Sequence, residues 1–165
     1  MAHQHVTRFG SLKHYEKGGV EVINDDARNY VFSNIFEVAS RAKPYEKVAV
    51  AKNLEYVLEA IRAEGTSDWQ AANHDEFLLV MDGEVTVSFV EPGDAAPAPG
   101  KDGTQRLERK PTGRKMGRVH LKRGHQALLP KGAAYQFSAA SPAVMIQQTI
   151  ACELTREKWA QICTY

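Results

Sequence analysis

The spacing of apolar positions changes character near residue 65. In NLEYVLEAIRAEG, residues 53–65, Leu54, Val57, Leu58 and Ile61 follow the i, i+3, i+4, i+7 rule of one helix face, Asn53 can cap the start and Gly65 can end it. The spacing predicts a helix over 53–64. The rest of residues 1–65 mixes charged and apolar runs without strand alternation, and reads as an N-terminal extension, partly helical. From 66 to 151 the chain switches to short period-two segments punctuated by Gly and Pro, the pattern of an antiparallel sandwich or barrel. In EVTVSFV, Val85, Val87 and Phe89 face one way and Thr86 and Ser88 the other; VMIQQTI is a second such strand. Phe77 to Met81 is an apolar strand, and Asp82-Gly83 predicts a tight type I′ hairpin turn into EVTVSFV. Downstream, Gly124 marks a turn, Ala127 to Leu129 a strand, Pro130 and Gly132 a second turn, and Tyr135 opens the next strand. The closing residues 152–165 include TREKWAQICTY, which with Thr155 as N-cap predicts a short terminal helix.

A chain of 165 residues makes one domain with an extension and buries roughly 70% of its unfolded surface. Lys plus Arg number 21 against 20 for Asp plus Glu, so no overall field recruits nucleic acid or an anionic membrane. The N-terminus has no signal-like apolar run, and no segment approaches the roughly 20 apolar residues of a spanning helix. A cytoplasmic protein is the expectation. Cys152 and Cys163 lie in no CxxC or Cys/His cluster and read as structural thiols. EPGDAAPAPGKDG is an exposed loop between strands, and the segment from Lys101 to Arg123 is rich in Lys and Arg. Two readings stand for that segment: a contact for an acidic partner surface, or a solvated edge whose cations block strand pairing. Nucleic-acid binding is disfavoured, because no aromatic residues interleave the cations as stacking platforms.

The chemistry-bearing residues cluster around two turns. His74 shares strand parity with Glu76, so both can point into a barrel, with Tyr135 or His125 within reach. These two units resemble the cupin motifs G-x5-H-x-H-x(3,4)-E-x6-G and G-x5-P-x-G-x2-H-x3-N. Glu76-x6-Gly83 matches the end of the first, and Gly124-x5-Pro130-x-Gly132-x2-Tyr135 the frame of the second. The resemblance implies a mainly β, cupin-like double-stranded β-helix (jelly-roll) barrel for residues 66–151. It also exposes a departure. A metal-binding cupin gathers three His and one Glu, whereas here the first-motif His positions fall on Gln70 and Ala72, or on Trp69 and Ala71, and the second-motif His is Tyr135. No metal site and no catalytic residue is expected in this chain; His74, Glu76 and Tyr135 are expected to form a polar cluster in the barrel.

The run ARNYVFSNIFEVASRAKPYEKVAVAKNLEYVLEAIRAEGTSDW, followed by HDEFLLVMDGEV, resembles the small (alpha) subunit of the two-component hydroquinone 1,2-dioxygenases over nearly the full length. That resemblance implies a hetero-oligomer with a larger cupin-like catalytic subunit, two copies of each, and Fe(II) in the larger subunit. It implies cleavage of hydroquinone to 4-hydroxymuconic semialdehyde, with this chain supporting assembly and shaping the active site. Arg28, Asn29, Tyr30, Phe32, Phe36 and Tyr45 are the candidates for the partner interface, since aromatic residues and Arg are enriched in interface cores; they can equally pack the extension on its own barrel. Two other classes compete: a metal-independent epimerase or isomerase using His74 or Tyr135 in acid/base roles, and a small-molecule-binding module without catalysis.

Overall fold

The structure, a computed structural model, describes residues 10–16, 18, 21, 23–25 and 33–158. One helix, α1 (Ile35–Arg41), precedes ten strands: β1 (Lys47–Asn53), β2 (Tyr56–Thr66), β3 (Gln70–Ala72), β4 (Glu76–Asp82), β5 (Glu84–Val90), β6 (Thr104–Arg106), β7 (Lys115–Lys122), β8 (Gln126–Leu129), β9 (Ala134–Ile150) and β10 (Thr155–Arg156). The strands belong to a single curled sheet whose spine is β9. The second half of β9 lies between β2 and β4, while its first half pairs with β5 on one edge and with the end of β2 and Gln70 of β3 on the other. β8 extends the sheet beyond β4, β7 beyond β5, and β1 and β10 beyond β2.

Alternation builds the interior. Ile61, Ala63, Leu78, Val80, Val85, Val87, Phe137 and Met145 point inward from four strands and form one apolar cluster. Each larger member contributes roughly 1.5–3 kcal/mol by leaving water. The mainly β barrel of cupin type expected from the sequence is the fold observed.

The helix expected over 53–64 is a strand instead. Leu54 and Glu55 form the turn of a hairpin in which Asn53 pairs with Tyr56, and the chain then runs as β2 to Thr66. Leu54 has φ 53 and is 88% exposed, so it cannot begin a buried helix face. The positions that face inward are Val57, Glu59, Ile61 and Ala63, a period of two that Glu59 hides by being charged. β1 and β9 hydrogen-bond β2 along both edges, and this pairing overrides a weak helical propensity. The barrel accordingly begins at Lys47 rather than at residue 66.

Asp82 and Gly83 do not make a hairpin, because β4 and β5 do not pair with each other. They run on in the same sense, both antiparallel to β9, with Asp82 opposite Val144 and Thr86 opposite Ser138. Gly83 is the corner between them, with φ +77 and no room for a Cβ, which would stand 2.7 Å from the Ala143 Cβ. Gly65 does the same on the other side of the spine, where the β2 register shifts between Ala63 and Gly65 opposite the same bend. A DG pair thus signals a positive φ, which a sheet corner needs as much as a hairpin does.

At the C-terminal end, Thr155 does not cap a helix within the described residues. Its backbone and hydroxyl close a turn on Cys152, and Thr155–Arg156 pair in parallel with β1. Residues 159–165, with Cys163, lie outside the described residues.

The α1 helix is seated on the outer face of the β1–β2 hairpin. The Asn34 carboxamide oxygen caps it, accepting from the amides of Phe36 (2.9 Å) and Glu37 (3.4 Å). Val38 and Ala42 pack on Val48 and Ala60, and Phe36 and Ala39 on Val144.

Candidate functional site

Where the inward parity of five strands converges, the barrel interior turns from apolar to polar. Glu76 opens β4 two positions before Leu78; Tyr135, Gln147 and Thr149 share the inner face of β9 with Phe137 and Met145; Thr104 comes from β6, Glu59 from β2 and Lys47 from β1. All seven are buried.

Glu76 is the hub. Its Oε2 accepts from the Tyr135 hydroxyl at 2.5 Å, and its Oε1 accepts from Thr104 Oγ1 (2.5 Å), Thr149 Oγ1 (2.6 Å) and Gln147 Nε2 (3.0 Å). Every neighbour donates, so the site is built for an acceptor-only carboxylate. The Lys47 ammonium donates to Gln147 Oε1 at 2.6 Å and to Thr104 Oγ1 at 3.4 Å, and lies 3.5 Å from Glu59 Oε2. Glu59 Oε1 accepts in turn from Thr155 Oγ1 at 2.7 Å. One chain of hydrogen bonds and one ion pair therefore link β1, β2, β4, β6 and β9 through the barrel.

Glu76 and Tyr135, paired as the cupin frame suggested, are in direct contact. His74 joins through Thr149, whose hydroxyl lies 3.2 Å from its Nε2. Thr149 spends its proton on Glu76, so His74 Nε2 must be the donor. His125 sits on the exposed β7–β8 turn, and His120 is exposed on β7 against Thr86; neither reaches the cluster. Gln70 is buried opposite Tyr135 and Ala72 is buried beside it, with no bond from Gln70 to Glu76. Sequence reasoning missed Lys47, Glu59, Thr104, Gln147 and Thr149. Gln147 and Thr149 were findable, since they continue the inward parity of Met145 along VMIQQTI.

These residues do not fit a divalent metal. Both Glu76 oxygens are engaged by protein donors, Tyr135 is a phenol rather than an imidazole, Gln70 and Ala72 offer no nitrogen ligand, and Lys47 already supplies a cation one hydrogen-bonded step from Glu76. Among the described residues no group of three or more His, Cys, Asp or Glu is arranged to hold a metal ion. A cleft of about 670 Å³ lies between residues 94–109 and 151–154; its floor reaches Thr104 but neither Glu76 nor Tyr135.

Burial and the adjacent Glu76 carboxylate push the Tyr135 phenol well above its ordinary value of 10.0. Tyr45, whose hydroxyl donates to the Gly65 carbonyl at 2.7 Å, is pushed up from 10.0 to about 12 by burial. Both folded pKa values are raised, so the stabilisation is complete below the unfolded value and is lost as pH climbs through the folded one. We expect stability to fall from about pH 10 upward, with a phenolate absorbance step near 12 that disappears in Tyr45→Phe. A Tyr45 that ionises near 10 would contradict the packing described.

The proposed interface residues divide. Arg28, Asn29, Tyr30 and Phe32 lie outside the described residues. Phe36 is 8% exposed and stacks on Tyr15, and Tyr45 stacks on Phe137 of the core, so these two pack the chain on its own barrel. In the basic segment, Lys101, Arg106, Arg114, Lys122 and Arg123 pair with this chain's own carboxylates on the surface.

Against solved structures, the chain is 55% identical to hydroquinone 1,2-dioxygenase from Sphingomonas sp. TTNP3 with 4-hydroxybenzoate bound, with 98% of each chain covered and a TM-score of 0.93. It is 53% identical to a chain of hydroquinone 1,2-dioxygenase PnpCD in complex with Cd2+ and 4-hydroxybenzonitrile, over the whole of both chains, also with a TM-score of 0.93. The chain belongs to the hydroquinone 1,2-dioxygenases of the cupin superfamily. A different chain, from hydroquinone 1,2-dioxygenase PnpCD in complex with Fe3+, is 11% identical; the match covers 86% of this chain and 39% of that one, with a TM-score of 0.63. That second likeness shows the fold alone. No protein-family model and no curated protein matches the chain. Of the frame matched to the cupin motifs, Gly83, Gly124 and Gly132 have positive φ and turn the chain, while Glu76 and Tyr135 meet in the hydrogen-bonded interior. No helix among the described residues is long and apolar enough to cross a membrane.

Proposed function

We propose that this chain is the small subunit of a two-component hydroquinone 1,2-dioxygenase, which cleaves hydroquinone to 4-hydroxymuconic semialdehyde with Fe(II) held by a larger cupin-like subunit. The observation that carries this reading is the Glu76 hub: in a chain similar end to end to hydroquinone dioxygenase chains, the ligand position of the barrel is filled by Tyr135, Thr104, Thr149, Gln147 and the Lys47 ammonium. Iron-dependent ring opening needs a metal with open positions for dioxygen and a phenolate, and this interior supplies neither the ligands nor the access. A longer chain with the same fold in a PnpCD structure supports a second component. The role of the present chain is then to complete the assembly and shape the partner's site, from a cytoplasmic hetero-oligomer with two copies of each chain.

Co-expression with the larger gene product tests this. The two chains should copurify, iron should follow the larger chain when they are separated, and hydroquinone consumption should require both. Stoichiometric iron on the isolated small chain, lost in Glu76→Ala, would overturn the division of labour.

A further inference from the structure

The outer face of the sheet across β2, β9, β4 and β8 gathers Tyr56, Leu58, Phe77 and Leu128, four of the eight large apolar side chains exposed among the described residues. Leu58 pairs with Gln148, Gln148 with Phe77, and Phe77 with Leu128, so these four side chains form one row on one face over four adjacent strands. Tyr56 opposite Ile150 adds the next row, and the Leu54 turn continues it. Phe77 and Tyr56 are each 52% exposed and Leu128 is 47% exposed. None of the outward residues from Tyr56 to Ala60, Ile146 to Ile150, Phe77 to Leu79 or Gln126 to Leu128 is charged. Among the described residues, α1 with Leu12 and Tyr15 covers the far end of this face, over Ala60, Val144 and Met81, and leaves these rows exposed.

We infer that this face is the surface on which the larger subunit docks, a deepening that rests on the proposed function above. Loss of charge around aromatic and aliphatic side chains is the compositional mark of an interface core, while a solvated sheet face alternates apolar-in with polar-out. The face lies on the outside of the curled sheet, opposite the core, and a sheet surface of this kind fits a folded partner better than a small molecule, which binds in a cleft. An interface of ordinary size buries about 800 Å² on each partner, and rows of large apolar side chains across four strands, about 14 Å wide at sheet spacing, match the apolar centre of such a contact. The occupant is a chain of different sequence: a full-length likeness of this chain and a longer, differently related chain both occur in structures of PnpCD.

The test uses the co-expressed complex. Phe77→Glu with Leu128→Glu, placed at exposed positions, is expected to weaken binding of the larger subunit at least hundredfold in sedimentation and pull-down. Ser88→Glu, on the outer face of β5 opposite Arg118, serves as the control and is expected to change binding less than threefold. Circular dichroism of the isolated variants checks the fold. If the double variant misfolds, Leu128→Cys decides instead: its thiol should react with maleimide in the isolated chain and be protected at least tenfold in the complex. Wild-type binding by a folded double variant, or a Leu128→Cys thiol equally reactive in both states, overturns the inference. So does a result in which the double variant abolishes only self-association of this chain, which would assign the face to a second copy. Failure of the wild-type chain to bind the larger subunit at all would instead sink the proposed function itself.

Discussion

Glu76→Ala is expected to destabilise the isolated chain by about 3–5 kcal/mol, because it removes the shared acceptor of four buried donors at once. The Tyr135 hydroxyl, Thr104 and Thr149 all give their protons to this one carboxylate, and Gln147 gives part of its amide. The site has no water-facing side to rescue them, since Glu76 is completely buried. Removing a carboxylate here also takes a negative charge from the neighbourhood of the Lys47 ammonium, one hydrogen-bonded residue away. The contrast is Tyr135→Phe, which deletes a single donor and leaves Glu76 three others, and should lose about 1 kcal/mol. For a domain of this size the Glu76→Ala loss corresponds to a melting temperature lower by roughly 10 °C. Urea unfolding of the two variants side by side is the measurement. Equal and small effects would mean that the hub is not cooperative, and that the hydrogen bonds at 2.5 and 2.6 Å contribute no more than surface ones.

The hub explains which parts of the molecule were legible beforehand. Turn chemistry was readable because it depends on local geometry: Gly124, Pro130 and Gly132 delimit β8 and deliver Tyr135 to the start of β9 as their spacing suggests. Alternation was readable wherever every inward residue is apolar, as in β5. It failed in β2 and β1 for one shared reason. Glu59 and Lys47 occupy inward positions, each a charge tolerated there only because the other, together with Thr155 and Gln147, is brought to it by the fold. Read along the chain, a buried charge looks like a solvent position and shifts the apparent period from two toward that of a helix. Partners 12, 57 and 100 residues apart (Glu59, Thr104 and Gln147, counted from Lys47) leave no local trace. The corner at Gly83 was misread for a different reason, since the signal for a positive φ does not say whether the next strand turns back or continues.

Lys47→Met should destabilise the chain by about 3–5 kcal/mol, and the same substitution made together with Glu59→Gln should recover a large part of that loss. Lys47 is 3% exposed and Glu59 fully buried, so each single change leaves the other charge in a dry interior. Their contact is an ion pair at 3.5 Å in which Glu59 Oε2 accepts no hydrogen bond, so attraction rather than geometry joins them. Buried pairs of this kind break even against neutral replacements of similar shape, while the loss of one partner exposes the full desolvation penalty of the other. Glu59→Gln keeps an oxygen for Thr155 Oγ1, and methionine keeps the length of the lysine stem, so the double variant preserves packing and removes both charges. What it cannot restore is the donor to Gln147 Oε1, which lies 2.6 Å from the ammonium, and this sets a residual loss of about 1–3 kcal/mol. A double-mutant cycle by urea denaturation reads the coupling directly, with an expected interaction of about 1.5 kcal/mol or more. Strict additivity of the two single losses would show that Lys47 is held by Gln147 and Thr104 alone, and that Glu59 belongs to the Thr155 turn rather than to the polar centre of the barrel.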